Sequence, residues 1–498
     1  MAHYIRFTCH SFMILYPLAS TFARMRNVHL LALSLVLSFG SRAVAHPNPN
    51  QAQEPRVSDP ASSIPHAVFF TQNATAEEIS AVNSTLNRDA APNSLSEVTK
   101  RSTGLVVFFK ATISPSQADS IRRAPGVSGV FTDEILEQEQ PPLPAVQLSA
   151  SRDFSALGPR GSSKRMITNP ADVSLQTDAL RELKIISQPP GAAYADLAGY
   201  AYASEGGKGV TIYLIDTGVN IGKPEWYRMP GNKSFVFIPG AVPSEDDPDN
   251  HGSCVASKAG GPVHGTAKNA NMVAVKMPWK FPFTAIIAAL IKINNDVHEK
   301  NLQGKAVINI SFRTNSLLPG QDVIYKQHLV SLMMEDIVIV ASSGNDAIRK
   351  GVSIAHYPAV FGYSTNLIVV GAVDNWGSRS WYSQGNPWQL TVSAPDTIKC
   401  AKAGSSGSRR QYGTSFAAPV VSGVIAVWLS QDQHKARLQV PGKVAENVKE
   451  MLKELAYPRR RGGPPVVWNG IDPRELACPV RKPFCSCINR ICKALPGF

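Results

Sequence analysis

Ser415 lies in the run Tyr412-Gly413-Thr414-Ser415-Phe416-Ala417-Ala418-Pro419. A polar, Gly/Ser-rich turn (residues 404–410) precedes it, and an uncharged apolar run (420–429) follows. The pattern predicts a loop feeding a buried helix, with the serine in the first turn. There its own backbone N–H is unpaired and stands at the positive end of the helix dipole. Such a place can hold an oxyanion beside the hydroxyl that generates it. Alone, the run also describes an ordinary Ser/Thr cap on a core helix, so the hydroxyl needs partners elsewhere in the chain. A serine is a poor nucleophile at neutral pH without a base in hydrogen-bonding reach. Of eleven histidines, His251 opens a predicted helix in His251-Gly252-Ser253-Cys254-Val255-Ala256-Ser257. A carboxylate must fix that base's tautomer and stabilise its imidazolium. Asp216 ends the apolar strand Val210-Thr211-Ile212-Tyr213-Leu214-Ile215, where an unpaired charge is costly. Asn345, in Ser342-Ser343-Gly344-Asn345 after another buried strand, offers an amide as second oxyanion donor. Nucleophile, base, orienting acid and oxyanion donor together are what acyl transfer requires.

These four residues need a scaffold that gathers them. From Gly209 onward, predicted strands (210–215, 272–277, 306–312, 337–341, 367–373) interleave with predicted helices (251–258, 283–300, 323–335, the Ser415 helix and 444–455). Such alternation predicts an α/β fold: a parallel sheet with helices on both faces. Sites in these sheets form beyond the carboxyl ends of the strands, where Asp216, Asn345 and the start of the Ser415 helix can meet. Ahead of this, residues 67–140 read as a small α+β unit in the order β-α-β-α-β, with strands at 66–70, 104–110 and 127–131 and helices at 76–86 and 114–123. Residues 137–169, rich in Pro, Ser, Gly and Ala, read as a linker open to proteolysis. Within it, Lys164-Arg165 is either a processing site or an incidental basic pair.

In these residues the chain resembles the subtilisin-like serine proteases, or subtilases, and most of all their secreted fungal members. The matching motifs are Ile215-Asp216-Thr217-Gly218, His251-Gly252-Ser253 and Gly413-Thr414-Ser415-Phe416-Ala417-Ala418-Pro419, in the Asp, His, Ser order of that family. Ser343-Gly344-Asn345, His264-Gly265-Thr266-Ala267, Val370-Gly371-Ala372-Val373 and Ser393-Ala394-Pro395 also match. The resemblance implies catalytic residues Asp216, His251 and Ser415, with Asn345 in the oxyanion hole and Ser311, Phe312, Arg313, Ser343 and Gly344 along the substrate cleft. It implies a catalytic unit over residues 196–457, an inhibitory propeptide over 46–140 that also aids folding, and a processing linker with the mature start in 141–195. Protein or peptide substrates and the chain's own propeptide are the implied partners. Two departures stand out. Ser311-Phe312-Arg313-Thr314 replaces the family's Ser-x-Gly-Gly, so Arg313 and Thr314 are expected to narrow the cleft or alter its preference. Asn250 replaces a glycine before the histidine. A catalytically impaired homologue acting as a secreted binding protein is the alternative reading. An α/β-hydrolase esterase is excluded, because no serine sits in a G-x-S-x-G elbow.

The remaining composition bears on location and partners. The formal charge of +13 over 498 residues is dispersed, with short clusters such as Arg459-Arg460-Arg461. With no aromatic and basic stripe and no zinc-finger spacing, it reads as a solvated surface rather than a nucleic-acid site. Residues 1–45 read as a signal region: Arg24 and Arg26 precede the apolar run 28–39, and Ala43-Val44-Ala45 is a small-x-small cleavage site. Met25 makes a tidier start, which would make the preceding residues an extension. No later uncharged stretch reaches the roughly 18 residues of a membrane span, so a secreted monomer without a membrane anchor is expected. Asn73, Asn83 and Asn232 are glycosylation sequons in polar surroundings; Asn309 matches too but lies in a predicted buried strand. In the tail, residues 458–498, Cys478, Cys485, Cys487 and Cys492 fit two disulfides with three possible pairings better than a zinc site. Cys254 is either a free thiol or paired with Cys400. No cofactor is required by this chemistry. Structural calcium accompanies many family members, but no ligand loop is legible, and the acidic run Glu245-Asp246-Asp247-Pro248-Asp249 reads as a solvated loop, a calcium ligand set or a selector of basic substrates.

Overall fold

The computed structural model describes residues 63–136, 172–401 and 408–472, with the backbone of 485–488 and 491–494. The expected signal region, Lys164-Arg165 and the side chains of the tail cysteines lie outside the described residues.

The N-terminal part runs β1 (Ile64–Phe70), α1 (Ala76–Asp89), β2 (Ser96–Lys100), β3 (Leu105–Ile113), α2 (Pro115–Arg122) and β4 (Val127–Thr132). Thr75 and Ser114 start the two helices with reciprocal caps: each side chain accepts from the backbone at N3, and Glu78 or Gln117 bonds back. The sheet order is β2-β3-β1-β4, antiparallel throughout. β2 is absent from the sequence expectation because Ser-Glu-Val-Thr-Lys, partly exposed, carries no apolar run to mark it. Strand alternation splits the side chains between two faces. Val68, Phe109, Ala111 and Val130 pack under α1 and α2. Ala67, Phe69 and Phe108 join the core of the larger unit that follows.

That unit starts with β5 (Val173–Gln176), α3 (Arg181–Lys184) and β6 (Tyr200–Ala203), then β7 (Thr211–Asp216), α4 (Pro224–Tyr227), β8 (Lys233–Phe237), α5 (His251–Gly260) and β9 (Asn271–Lys276). It continues with α6 (Phe283–Glu299), β10 (Ala306–Ile310), α7 (Gln321–Met334), β11 (Ile337–Ser342), α8 (Ala347–Lys350), β12 (Ile368–Val373) and β13 (Val392–Pro395). A hairpin, β14 (Ile398–Ala401) with β15 (Ser408–Gln411), leads into α9 (Thr414–Leu429), α10 (Asp432–Leu438), α11 (Val444–Leu455), β16 (Tyr457–Pro458) and β17 (Pro465–Val466). A last hairpin joins β18 (Cys485–Ile488) to β19 (Ile491–Ala494). The nine-stranded sheet has the order β16-β17-β13-β12-β11-β10-β7-β9-β8 and is parallel except at β16–β17. Its strands are apolar throughout because both faces are covered. Along β7, Ile212 and Leu214 face the core under α5 and α9, while Tyr213 and Ile215 face the core under α6 and α7. Each such residue contributes about 1.5–3 kcal/mol of burial.

The core extends beyond the expected limits of 196 and 457. Leu183, Ile185 and Ile186 pack into it from one side and Val467, Trp468 and Ile471 from the other. Arg459 does not belong to a solvated basic cluster. It is buried, and its guanidinium donates to the carbonyls of Ile185, Tyr457, Val466 and Val467. Cys254 on α5 is disulfide-bonded to Cys400 on β14, with Cα atoms 5.8 Å apart. Among the described residues no single helix is long and apolar enough to cross a membrane.

Two helices cross where one has no side chain. A Cβ on Gly423 of α9 would stand 2.0 Å from Thr266 Oγ1 and 2.6 Å from the Ala259 carbonyl of α5. Gly423→Ala is expected to lower unfolding stability by about 1–3 kcal/mol through overpacking. Urea denaturation monitored by tryptophan fluorescence checks this, and an unchanged midpoint would contradict the close crossing.

Candidate active site

Each functional side chain sits at an element terminus on one edge of the sheet. Asp216 ends β7, with its side chain 3 % exposed. Its Oδ1 accepts from the Thr217 backbone N–H at 2.8 Å and from His251 Nδ1 at 2.8 Å. This bond leaves Nε2 of neutral His251 as the acceptor on the outer side of the ring. His251 opens α5 behind Asn250, which holds the left-handed conformation (φ 62°) that asparagine tolerates better than most residues. Gly252 lets the helix approach the strand end: a Cβ there would lie 2.1 Å from the Gly218 carbonyl and 3.0 Å from Asp216 Oδ1.

Ser415 lies in the first turn of α9. Asn345 follows β11, and its Oδ1 accepts from both the backbone N–H (2.9 Å) and the hydroxyl (3.0 Å) of Thr414. The amide oxygen is therefore taken up by Thr414, which leaves the N–H₂ group as the part of this side chain that can donate to a ligand. The Thr414 hydroxyl also accepts from the Gly344 N–H at 3.1 Å, tying the β11 turn to the start of α9. The structure thus brings Asp216 onto His251, and Asn345 onto the serine helix. The two halves meet where the His251 ring lies 5.3 Å from that of Phe416, centroid to centroid. Among the described residues no hydrogen bond joins Ser415 to His251; nucleophile–base bonds of this type commonly tighten only when substrate is bound.

Residues outside the four carry much of the arrangement. Asp247, buried in the acidic run, accepts from Thr217 Oγ1 at 2.7 Å and from both the backbone N–H and the hydroxyl of Ser253 at 2.7 Å. It caps the start of α5 and fastens it to the Asp216 turn. Thr217 Oγ1 accepts from the Gly252 N–H at 3.0 Å. Asp246 pairs with Lys276. The run is therefore not a fully solvated loop, since Asp247 is buried and Asp246 is paired. The only sequence signal for Asp247 is its place in the acidic run just before His251. Burial alone disfavours charging the imidazole, but Asp216, then Asp247 and Asp249, outweigh it and raise the His251 pKa to about 9. Burial likewise pushes the Asp247 carboxyl up, against the bonds from Ser253 and Thr217.

The expected cleft residues divide. Phe312 packs edge-on to Phe281 at 5.2 Å, and this pair forms an apolar wall. Against Phe281 the N-terminal part lays residues 135 and 136: the Leu136 N–H donates to the Phe281 carbonyl at 3.0 Å, and Ile135 bridges antiparallel to Pro282. Arg313 does not stand in the cleft. It is 2 % exposed, pairs with Asp346, and donates to Gln384 Oε1 at 3.0 Å. Thr314 exchanges two backbone hydrogen bonds with Tyr357, of 3.1 and 3.0 Å. Ser343 is buried and donates to the Gln384 carbonyl, and Ser311 donates to the Ser415 carbonyl at 2.8 Å, so both support the site rather than line it.

A family model described as the Subtilase family, Peptidase S8, matches residues 207–464. Subtilisin-like protease 3 of Pseudogymnoascus destructans is 32% identical over 288 residues, 56% of this chain and 66% of that protein. Subtilisin-like protease 2 of Trichophyton equinum is 27% identical over 296 residues, 58% of this chain and 66% of that protein. The matched region therefore spans just under two thirds of the length of each. Among solved structures, the epidermin leader peptide processing serine protease of Staphylococcus aureus superimposes with a TM-score of 0.54 at 16% identity, covering 82% of this chain and 99% of that one, a likeness of fold.

The electrostatics have a direct readout. In NMR titration His251 is expected to lose its proton near pH 9, and Asp216→Asn to move that step down by a unit or more on the order of one lost charge contact. A titration near the ordinary imidazole value in the unsubstituted protein would contradict the carboxylate cage.

Proposed function

The chain belongs to the subtilase family, and from that membership and the geometry of the site we propose that it is a secreted serine endopeptidase made as an autoinhibited precursor. The observation that carries the reading is the 2.8 Å bond from His251 Nδ1 to Asp216, with Asn345 locked by Thr414 at the start of the serine helix.

In this mechanism His251 Nε2 takes the Ser415 hydroxyl proton as Oγ bonds to the scissile carbonyl carbon. The Asn345 amide and the Ser415 backbone N–H hold the resulting oxyanion. Imidazolium, held by Asp216, passes its proton to the leaving amine as the C–N bond breaks. Water, deprotonated by His251, then attacks the acyl-enzyme, and the proton returns to Ser415 Oγ as the acid departs. These steps need no cofactor. Substrate is received as an extended strand along Phe281 and Phe312, the place where Ile135 and Leu136 pair in the precursor. The N-terminal part grips the larger unit through Lys100–Glu335 at 2.6 Å, Arg101–Glu299 at 2.7 Å and the Phe69–Phe283 ring contact at 5.7 Å. That docking supports its role as the propeptide inhibitor, released after cleavage in the linker. Export is supported by the predicted signal region, by exposed sequon residues Asn73 and Asn232, and by the Cys254–Cys400 disulfide.

Ser415→Ala should abolish casein hydrolysis and labelling by a sulfonyl fluoride. Asn345→Ala should lower kcat about 10²–10³-fold, a figure taken from the oxyanion asparagine of subtilisin itself. Wild-type enzyme freed of its N-terminal part that neither labels nor cleaves casein would overturn the reading in favour of a binding protein. Because the base is His251 in its neutral form, kcat/KM should rise with pH through the alkaline limb and level off above about 9. Asp216→Asn should shift that limb to lower pH while reducing kcat about 10⁴-fold.

A further inference from the structure

Pro419 lies inside α9. In a regular helix the carbonyl of residue 415 accepts from the N–H of residue 419, and proline has none. The carbonyl of the proposed nucleophile therefore lacks its helical donor. It accepts instead from Ser311 Oγ at 2.8 Å, a residue just past the end of β10 and 2 % exposed. Ser311 Oγ accepts in turn from Asn309 Nδ2 at 2.8 Å, and Asn309 Oδ1 accepts from Ser422 Oγ at 3.1 Å. Asn309 and Ser422 are fully buried. Three hydrogen bonds thus leave α9 at Ser422, cross two residues of the β10 segment, and return to α9 at Ser415.

We propose that Ser311 is a positioning residue for Ser415: it supplies the donor that Pro419 removes, and so references the nucleophile to the sheet rather than to its own helix. The placement of β10 gives this its point. β10 pairs on one side with β7, which ends in Asp216, and on the other with β11, which leads to Asn345. A serine whose first turn is anchored to β10 is held in the same frame as the orienting acid and the oxyanion donor. An ordinary helix bond from residue 419 would fix the turn only to the rest of α9. A buried polar chain inside a β-strand is costly unless every member is satisfied, and each link here is satisfied by the next. The inference rests on the serine-protease reading above, since it concerns where that chemistry places its nucleophile.

The test compares wild type, Ser311→Ala, Pro419→Ala and the double variant, each freed of its N-terminal part. Peptide kcat and KM, the rate of Ser415 sulfonylation and the thermal midpoint are measured. Ser311→Ala is expected to lower kcat and the sulfonylation rate about 10- to 100-fold, the loss typical of a displaced reacting group, with KM nearly unchanged. Pro419→Ala restores the missing N–H, so removing Ser311 in that background should cost about threefold or less, the residue of a coupling that has been relieved. A Ser311→Ala enzyme as fast as wild type overturns the proposal. So does a Ser311→Ala loss that is equally large with and without Pro419, which is what a general packing role would give. If Ser311→Ala alone fails to fold, the ratio between Pro419→Ala and the double variant decides: similar rates support the role, and a large drop overturns it. An inert wild type brings down the protease reading itself, whereas an active wild type with an indifferent Ser311→Ala removes only this inference.

Discussion

A carboxylate at the end of a buried strand is tolerable only if something donates to it, and at Asp216 the donors are the Thr217 N–H and an imidazole. The 2.8 Å bond to His251 sets most of what surrounds it. It requires the first turn of α5 to touch the β7 end, which only a residue without a side chain permits at Gly252. It requires Asn250 to turn into the helix in a left-handed conformation. It also gathers a second carboxylate: Asp247 fastens the start of α5 through Ser253 and the Asp216 turn through Thr217. That second charge is mechanically useful and electrostatically demanding. Buried negative charge on the strand side of the ring favours imidazolium, the state that the proposed acyl transfer must form, and disfavours the neutral base that this mechanism starts from.

Helix α9 carries the opposite requirement. It is buried along its whole length, so its position is fixed by packing on all sides, yet in the proposed mechanism its first turn must keep the Ser415 N–H available at the edge of the sheet. Pro419 separates these duties. Beyond it the helix is core, locked against α5 at Gly423 and through the Thr266 hydroxyl, which donates to the Val420 carbonyl at 2.9 Å. Before it the chain is held by side chains that follow other strands, Ser311 after β10 and Asn345 after β11. A helix interior is a poor place for proline; here the lost bond is replaced by one from the sheet.

The residues that form the Asp216–His251 and Thr414–Asn345 contacts were legible because each stands where a strongly patterned element stops or starts. A wholly apolar strand that ends in aspartate, and an apolar helix preceded by Gly-Thr-Ser, are readable without knowing what they contact. The parallel sheet was legible for the same reason: doubly covered strands such as Ile337–Ser342 have no polar face to blur them. β2 escaped notice because edge strands of an antiparallel sheet can be polar, and β13, β16 and β17 because two to four residues carry no periodicity. Arg459, Asp247 and Arg313 were misread through a common cause. Charged residues are nearly always solvated, and no local pattern announces that a carbonyl cage, a helix start or a carboxylate across the fold will satisfy one.

Arg313 shows how such a residue can be accommodated beside a reacting centre. Asp346 follows Asn345 directly, and its side chain is 4% exposed. An uncompensated carboxylate there would oppose the negative charge that the neighbouring amide receives in the proposed mechanism. Burial by itself pushes the Asp346 carboxyl up; Arg313 from within and Arg349 from the surface outweigh it and hold the group below its ordinary range. Lys350 adds a more distant contact at 3.6 Å. The guanidinium therefore spends its charge inside the protein rather than in the cleft. A residue that on sequence grounds is expected to narrow the cleft or alter its preference instead joins Gln384 in bracing the turn that carries Asn345, since the same Gln384 Oε1 accepts from Arg313 and from the Asp346 N–H. Arginine at this strand end is accommodated because an acid stands one residue past Asn345, and that acid is compensated by Arg313 from within together with Arg349 from the surface.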